Sequence, residues 1–453
     1  MKKEFFNLSL ILIISFIGCS TQNPDFTMNE EAKSSRYATI IISDIHMGDE
    51  RACSGIDNSP YCWFIENKNY FKDFLNCIKN STWIKELVIA GDLIDEWVAP
   101  VDVPVWGNNI NDTEETFLAS VYNANKDIIK VFAEIKNAGI TIHYTPGNHD
   151  MLLNQEKLDL LFGENIIICE NKNDAKGLGF YKTQNDLVRI EHGHRLDFFN
   201  APDSVSNAQI NENSIIPPGF IVSKIASSSD RNKSRAFFEY NVGAKWFDSL
   251  YRDYDLYLAA WKLILYNKPN SIPDDMWDKK IVRTDNLIQS PGLYSYSDII
   301  PTFWGNFNDS RTLYKNTYKT TEWNERQRIN KVPVKMSIRE ALLTGVFPSY
   351  FDETAIAEYL RSSSSQQQIL VMGHTHFPTL KTAEQKIYIN TGSWVDKKWL
   401  DRKVPDKTFA LILPNNKDKT CTVKLLQFNN SIENSKLIQS ATLENFTNQT
   451  TDY

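Results

Sequence analysis

Residues 38–46, Ala38-Thr-Ile-Ile-Ile-Ser-Asp44-Ile-His46, join a short run of apolar and β-branched residues directly to an acid and a histidine. A run of this kind over 38–42 predicts a buried strand. The acid and the histidine would then lie just beyond its carboxyl end. In sheets built from alternating strands and helices, functional side chains collect at that end. The stretch therefore predicts both a strand of the main sheet and part of a functional site.

The same arrangement recurs at four later places in the chain. Apolar runs at 87–90, 140–144, 187–191 and 369–372 each lead into a polar motif. These motifs are Gly91-Asp92-Leu-Ile-Asp95, Gly147-Asn148-His149-Asp150, His192-Gly193 and Gly373-His374-Thr-His376. A helix is predicted over 117–137, and runs at 409–413 and 422–427 predict closing strands. The alternation of strands and helices indicates the α/β class.

The motifs concentrate side chains that bind metal ions. The chain has seven histidines, and five of them lie in these motifs beside Asp, Asn and Gly. Imidazole, carboxylate and carboxamide groups are all metal ligands, and glycine lets the backbone turn tightly around them. The candidate ligands are Asp44, His46, Asp92, Asn148, His192, His374 and His376.

In content and in order, the five motifs resemble those of the calcineurin-like metallophosphoesterase superfamily. Within it, Gly91-Asp92-Leu-Ile-Asp95-Glu96-Trp97 and His192-Gly193 look closest to the branch of UDP-2,3-diacylglucosamine pyrophosphohydrolase-like proteins. The resemblance covers about residues 37–199 and 347–427. It implies a four-layer α/β/β/α sandwich with two divalent metal ions at one edge.

The resemblance also implies how the seven ligands divide between the two ions. Asp44, His46 and His376 would hold one ion, and Asn148, His192 and His374 would hold the other. Asp92 would bridge them, because a carboxylate has two oxygens to share. Mixed nitrogen and oxygen ligands suit Mn, Fe or Zn better than Mg or Ca, and manganese is favoured, with Fe or Zn as alternatives.

The implied activity is hydrolysis of phosphoester or pyrophosphate bonds by a hydroxide that bridges the two ions. His149 is the candidate acid for the leaving group, and Asp95 would orient it. Asp95 could instead cap a helix. His194 is an alternative to His192 as a ligand. A second hypothesis is a non-catalytic envelope lipoprotein that binds a phosphorylated or glycan ligand.

The character of the sequence changes over residues 200–345, where tryptophans and tyrosines occur with helical spacing. This region predicts a mainly helical cap inserted into a core formed by 37–199 and 346–428. Its aromatic side chains are more often core than ligand contacts. A cap would select a small phosphorylated substrate such as a nucleotide, a sugar phosphate or a phospholipid. Residues 429–453 are polar and are predicted to form a poorly ordered tail.

Composition sets limits on the partners. The chain has 453 residues, of which 42% are hydrophobic, so it can bury a large core. Its net charge is −7, and no run of lysine or arginine could neutralise a phosphate backbone. Nucleic acid is therefore not an expected partner, whereas bound cations could still attract a phosphorylated substrate.

The first residues have the features of a lipoprotein signal peptide at 1–19, followed by a polar tether at 20–36. Lys2 and Lys3 precede an apolar stretch that ends at Gly18 and Cys19. Cys19 is the expected site of lipidation, although an ordinary cleaved signal peptide is an alternative. Either alternative predicts export. Lipidation predicts a lipid-anchored protein of the bacterial cell envelope, located in the periplasm or at the outer membrane. Without Cys19, five cysteines remain, and Cys53 and Cys62 could form a disulfide or stay as free thiols.

Overall fold

The computed structural model describes most of the chain outside its first 35 residues and the centre of the predicted cap. The described residues are 36–54, 62–98, 114–207, 214–217, 219–220, 223, 282–283, 293–294, 320–332, 337–345, 347–361, 365–401 and 403–446. The predicted signal peptide with Cys19 and the predicted tether up to residue 35 lie outside them.

The fold combines two sheets with helices. The strands are β1 (Ala38–Ile42), β2 (Ile84–Ala90), β3 (Thr141–Thr145), β4 (Ile167–Ile168), β5 (Tyr181–Thr183), β6 (Val188–Ile190), β7 (Val282–Arg283), β8 (Leu293–Tyr294), β9 (Ile369–Met372), β10 (Thr379–Ala383), β11 (Lys386–Asn390), β12 (Thr408–Asn415), β13 (Thr420–Asn429) and β14 (Ser431–Leu443). The α-helices are α1 (Glu50–Ser54), α2 (Lys68–Asn80), α3 (Glu114–Asn137), α4 (Gln155–Phe162), α5 (Ser204–Asn207), α6 (Thr320–Ile329), α7 (Ile338–Thr344) and α8 (Pro348–Ala355). Short 3-10 turns cover His194–Leu196 and Lys397–Trp399, and a π-helical turn covers Ile356–Leu360.

The larger sheet has seven strands in the order β14-β13-β12-β1-β2-β3-β4. Strands β1 to β4 run parallel to one another, and β12 to β14 extend the sheet on the other side of β1 with antiparallel pairing. The smaller sheet has five strands in the order β10-β11-β9-β6-β5, with a parallel centre and antiparallel edges. The predicted strands of the motif-bearing core are confirmed, within a few residues at their ends.

The two sheets pack face to face. Apolar residues from both, including Ile41, Val88 and Val371, form one fully buried cluster between them. Hydrogen bonds also join the two sheets across this layer. Tyr181 and Thr183 of the smaller sheet each donate a hydrogen bond of 2.7 Å to Glu86 of the larger sheet. The interior therefore fixes how the strands of one sheet lie over those of the other.

Helices cover the outer faces of both sheets. Helix α2 buries Phe71, Phe74, Leu75 and Ile78, which are spaced three or four residues apart and so form one face. Burying a side chain of this size stabilises the fold by roughly 1.5–3 kcal/mol. On the smaller sheet, Tyr388 donates a 2.8 Å hydrogen bond to an aspartate of α8. The four-layer α/β/β/α sandwich is thus confirmed.

The prediction of a poorly ordered tail from residue 429 is wrong for most of that segment. Residues Ser431–Leu443 form β14, which pairs along its length with β13. The segment is polar because β14 lies at the sheet edge and exposes many of its side chains, so its composition resembled that of a tail. Residues 447–453 lie outside the described part of the chain.

Only parts of the predicted cap at 200–345 are described. They include α5, α6, α7 and the small β7–β8 pair. Helix α7 contacts the core directly, because Thr344 donates a hydrogen bond to the carbonyl of Leu196 and Phe198 N donates to Ala341 O. The helical cap as a whole remains a prediction. Within the described residues, no helix combines the length and the apolar character needed to cross a bilayer.

All five cysteines that remain without Cys19 are free thiols in the structure. Cys53 and Cys62 nevertheless lie next to each other. Both sulfurs lie beside Gly48, and the two thiols are hydrogen-bonded. This hydrogen bond, together with burial, raises the pKa of the Cys53 thiol. Of the two alternatives for this pair, the structure has the free thiols.

Candidate metal centre

The five motifs come together at one edge of the sandwich. The motifs that begin at Ser43, Gly91 and Gly147 follow three neighbouring parallel strands of the larger sheet. The other two, at His192 and Gly373, follow the neighbouring parallel strands β6 and β9 of the smaller sheet. Because the carboxyl ends of parallel strands face the same way, the sequence order of the motifs becomes a spatial cluster.

Five of the seven candidate ligands have a left-handed backbone. Their φ angles are 53° at Asp44, 56° at His46, 54° at Asp92, 73° at His374 and 59° at His376. Residues other than glycine seldom adopt this conformation, and it is typical of functional sites where the surrounding structure holds the backbone in place. The strand-end turns therefore aim these side chains at a common point.

Asp44, His46, Asp92 and His376 form the first group. One possible ligand atom from each lies within 4.8 Å of all the others. His376 Nε2 is 3.2 Å from Asp44 Oδ1 and 3.2 Å from His46 Nε2. His46 Nε2 is 3.5 Å from Asp92 Oδ2. These separations fit four donors arranged around one cation.

Asn148, His192 and His374 form a second group beside the first. Asn148 Oδ1 is 2.9 Å from His192 Nε2 and 2.9 Å from His374 Nδ1. His192 Nε2 is also 3.2 Å from Asp92 Oδ2, so that oxygen faces both groups. Asp92 Oδ1 instead accepts a 2.8 Å hydrogen bond from the backbone of His149. The link between the groups is therefore one carboxylate oxygen rather than the two expected from the sequence.

The hydrogen bonds around the rings show which nitrogen atoms can bind a cation. His192 Nδ1 lies 2.8 Å from the carbonyl oxygen of Ala90, which can only accept, so Nδ1 carries the proton. The neutral ring then presents a lone pair at Nε2, opposite the lone pairs of Asn148 Oδ1. His46 is arranged in the same way, with Nδ1 3.1 Å from Asp95 Oδ2 and Nε2 turned toward other acceptors. Lone pairs that face one another need a positive charge between them. These nitrogen and oxygen atoms are therefore suited to bind a metal ion.

Electrostatics agree with this arrangement. Burial opposes a charged ring at His46, but the nearby carboxylates of Asp44, Asp95 and Asp92 outweigh it and raise the pKa of His46 to about 10. At His192, burial is outweighed by the charges of Asp92 and Asp44, and the pKa of His192 rises to about 9. Burial would raise the pKa of the Asp92 carboxyl, yet the neighbouring histidines lower it. The pocket therefore favours cations, whether protons or metal ions.

His149 lies beside both groups without belonging to either. Its Nδ1 is 2.9 Å from Asp95 Oδ1, while the other oxygen of Asp95 faces His46. His46, Asp95 and His149 could be read as a further ligand group, but hydrogen bonding from the two rings to one carboxylate accounts for their closeness. Asp95 Oδ1 also accepts hydrogen bonds from the backbone of Trp97 and Val98, but these residues lie in bends, so no helix is capped by Asp95 within the described residues.

Two glycines in the motifs are required by close approach. A side chain at Gly147 would collide with the carboxylate and the backbone of Asp92. A side chain at Gly373 would collide with Ser43 and would lie 2.5 Å from the carboxylate of Asp44. Glycine is the residue that lets a neighbouring backbone come this near.

The remaining motif residues support the site from outside. Asp150 accepts backbone hydrogen bonds from Leu93 and Gly147 and so ties the second motif to the third. His194 Nε2 points to the carbonyl of Gly177, 2.9 Å away, so His192 is the residue that faces the cluster. His143 stacks on Tyr181 with the ring centroids 4.0 Å apart, which is a structural contact.

Sequence reasoning missed three residues near the centre. Trp97 stacks on His149 with ring centroids 4.4 Å apart, and Trp63 packs against His46 at 4.9 Å. Asp197 lies 3.0 Å from His374 Nε2. Trp97 is part of the quoted stretch from Gly91, and the other two lie close to a motif or a cysteine, but nothing in the sequence predicted their contacts with the histidines.

No curated protein matches the chain. Solved structures that it resembles include Vacuolar Protein Sorting 29 from Cryptosporidium parvum, at 8% identity, 90% coverage of this chain, 97% of that chain and a TM-score of 0.27. They also include a protein from Staphylococcus aureus described as a 5′-nucleotidase, in complex with alpha-ketoglutarate, at 11% identity, 90% and 54% coverage and a TM-score of 0.28. Likeness at these scores carries no conclusion about activity.

A family model described as calcineurin-like phosphoesterase matches residues 38–378. That span is about three quarters of the chain and contains every motif that forms the two ligand groups. The chain belongs to the calcineurin-like phosphoesterase family.

Proposed function

We propose that this protein hydrolyses phosphoester or pyrophosphate bonds with two divalent cations bound at the strand ends. The observation that carries the proposal is the position of Asp92 Oδ2, 3.5 Å from His46 Nε2 and 3.2 Å from His192 Nε2. One carboxylate oxygen thus connects two sets of donors. The family is one of metal-dependent hydrolases, which supports the reaction class.

The ligand division follows the two groups. Asp44, His46 and His376 would hold one cation, and Asn148, His192 and His374 the other. Asp92 belongs to both. The mixture of imidazole nitrogen with carboxylate and amide oxygen suits Mn²⁺, with Fe or Zn as alternatives. When bound, the two cations would supply Lewis acidity and positive charge for the phosphoryl oxygens.

The protein's own contribution to bond cleavage is centred on His149. Trp97 packs on one face of its ring, and Asp95 accepts a hydrogen bond from Nδ1, so Nε2 is the nitrogen left to act. When both of its nitrogens carry a proton, a ring held in this way could donate the Nε2 proton to the departing oxygen and keep the Nδ1 proton on the Asp95 hydrogen bond. Asp95 would therefore orient His149 and His46 together.

Selectivity would come from the cap at 200–345, which returns to the core through α7. We propose a small phosphorylated substrate, either a nucleotide, a sugar phosphate or a phospholipid. A UDP-linked diacylglucosamine is one candidate, because the second and fourth motifs resemble that branch. The aromatic residues Trp63 and Trp97 at the centre are suited to exclude water from the reacting bond.

Turnover of simple esters tests the proposal. The purified protein should release p-nitrophenol from a phosphomonoester or a phosphodiester when Mn²⁺ is added, and should lose this activity with a chelator. Nucleotides, sugar phosphates, phospholipids and a UDP-linked diacylglucosamine complete the panel. Absence of metal-dependent turnover across the whole panel would contradict the proposal and favour the alternative, a non-catalytic lipoprotein that binds a phosphorylated or glycan ligand.

We also propose that the protein is exported and anchored in the bacterial envelope through Cys19, in the periplasm or at the outer membrane. The support is the order of Lys2, Lys3, the apolar stretch and Gly18 before that cysteine. Cells grown with a fatty-acid analogue should label the wild-type protein, and Cys19→Ala should abolish the label. Equal labelling of both proteins would contradict the anchor.

A further inference from the structure

A buried carboxylate contacts His374 on the side of the ring that faces away from the ligand groups. Asp197 Oδ2 lies 3.0 Å from His374 Nε2, and the side chain of Asp197 is only 2% exposed. Asp197 follows the fourth motif, just beyond the 3-10 turn at His194–Leu196. Asp197 does not join the seven candidate ligands, because it contacts His374 at Nε2, the nitrogen that faces away from those ligands.

The two nitrogens of His374 therefore have different partners. Nδ1 is 2.9 Å from Asn148 Oδ1, inside the second group, and Nε2 is held by Asp197. A carboxylate can only accept, so this contact places the proton on Nε2. Nδ1 is then left with a lone pair directed at the second group, which is the form of the ring that can bind a cation.

Asp197 is itself held firmly. Its Oδ1 accepts a 2.8 Å hydrogen bond from the backbone of Phe199, and Asn200 donates a hydrogen bond to its Oδ2. Gly345, just after α7, lies so close that a side chain there would collide with Oδ1. Both ends of the predicted cap thus meet at this carboxylate, which has no freedom to turn away from His374.

We propose that Asp197 is a positioning residue for the second cation, because it fixes the proton of His374 on Nε2 and frees Nδ1 as a ligand. This inference rests on the proposed two-metal function. It assigns Asp197 to the second group in the way that Asp95, through His46 Nδ1, serves the first. Each group of ligands would then have one buried carboxylate behind one of its histidines.

The competing explanation is that Asp197 only shapes the turn at Phe199. Asp197→Asn separates the two roles. The amide oxygen can still accept from Phe199 N, which leaves NH₂ facing His374 Nε2. An NH₂ group donates, so it would favour a lone pair on Nε2 and a proton on Nδ1, where the cation should bind. The hydrogen bond from Phe199 N is kept and the one from Asn200 is lost, while His374 no longer presents Nδ1 as a ligand.

Cobalt binding is the experiment, with Co²⁺ added to protein stripped of metal and followed by visible absorption. The wild type should show two binding steps. Asp197→Asn should weaken one step by about 10–100-fold and leave the other unchanged, whereas Asp95→Asn should weaken the other. Asp352→Asn is the matched control, since this buried aspartate bonds to Tyr388 at 2.8 Å and Lys381 at 3.2 Å instead. Equal thermal denaturation of the stripped proteins would show that the fold is intact.

The outcomes separate the inference from the function on which it rests. If the wild type binds two ions and Asp197→Asn binds both as tightly, or if Asp352→Asn weakens binding equally, Asp197 is not a positioning residue. Fewer than two ions in the wild type would remove the two-metal function itself.

A second measurement covers the case in which Asp197→Asn does not fold. In wild-type protein labelled with ¹⁵N-histidine and loaded with Zn²⁺, long-range ¹H–¹⁵N spectra should show the proton of His374 on Nε2. The signal is assigned by its loss in His374→Gln. A proton on Nδ1 of His374 would overturn the inference without any variant of Asp197.

Discussion

Asp92→Asn is expected to lower kcat for phosphoester hydrolysis by at least about 10²–10³-fold. The substitution keeps the shape of the side chain, and the amide oxygen can still accept the hydrogen bond from His149 N, which is 2.8 Å long in the wild type. The NH₂ group, however, replaces the oxygen that faces both His46 and His192. It cannot bind a cation, so both groups lose their shared ligand.

The control for Asp92→Asn is Asp352→Asn, which removes a buried carboxylate of helix α8 that bonds to Tyr388 of the smaller sheet, and it should retain nearly full activity. Steady-state kinetics with p-nitrophenyl phosphate over a range of Mn²⁺ concentrations make the comparison. Retention of more than about one tenth of the wild-type kcat in Asp92→Asn at saturating Mn²⁺ would contradict the bridging role.

His149→Ala is expected to lower kcat by about 10²–10⁴-fold on an alkyl phosphate, while the metal content stays at the wild-type level. An alkoxide is a poor leaving group and needs a proton as the bond breaks. A p-nitrophenolate leaves readily without one, so the loss on p-nitrophenyl phosphate should be much smaller, about tenfold or less. The proposed acid role predicts this difference between substrates.

His143→Ala is the matched control for His149→Ala, because His143 lies in β3 and packs on Tyr181 away from the ligands. It should leave both activities unchanged. Equal losses on the two substrates in His149→Ala would show that His149 acts on binding or on the cations rather than on the leaving group. A drop in metal content would show the same.

The motif-bearing strands could be predicted because their sequences are unambiguous. Residues 369–372 are all apolar and residues 38–42 are apolar except for the β-branched Thr39, as expected of strands buried on both faces, and β1 and β9 have these same bounds. The site followed from them, since parallel strands that end in polar motifs must bring those motifs to one edge. The structure then showed which ring nitrogens face the cluster, and this depends on partners such as Ala90 O that no motif contains.

Edge strand β14 could not be predicted for a physical reason. Its side chains are largely exposed, so polar residues are tolerated and the alternation expected of a strand is weak. Its position comes from backbone pairing with β13, which leaves little trace in composition. The proposed role of Asp197 could not be predicted either, because it depends on contact with His374, a residue 177 positions away in the chain.

The central claim is that two ligand groups share Asp92, and counting bound ions tests it most directly. Wild-type protein dialysed to equilibrium against Mn²⁺ and analysed by inductively coupled plasma mass spectrometry should hold about two ions per chain. Asp92→Asn should hold fewer under the same conditions. One ion or none in the wild type, at Mn²⁺ concentrations that saturate activity, would contradict the account.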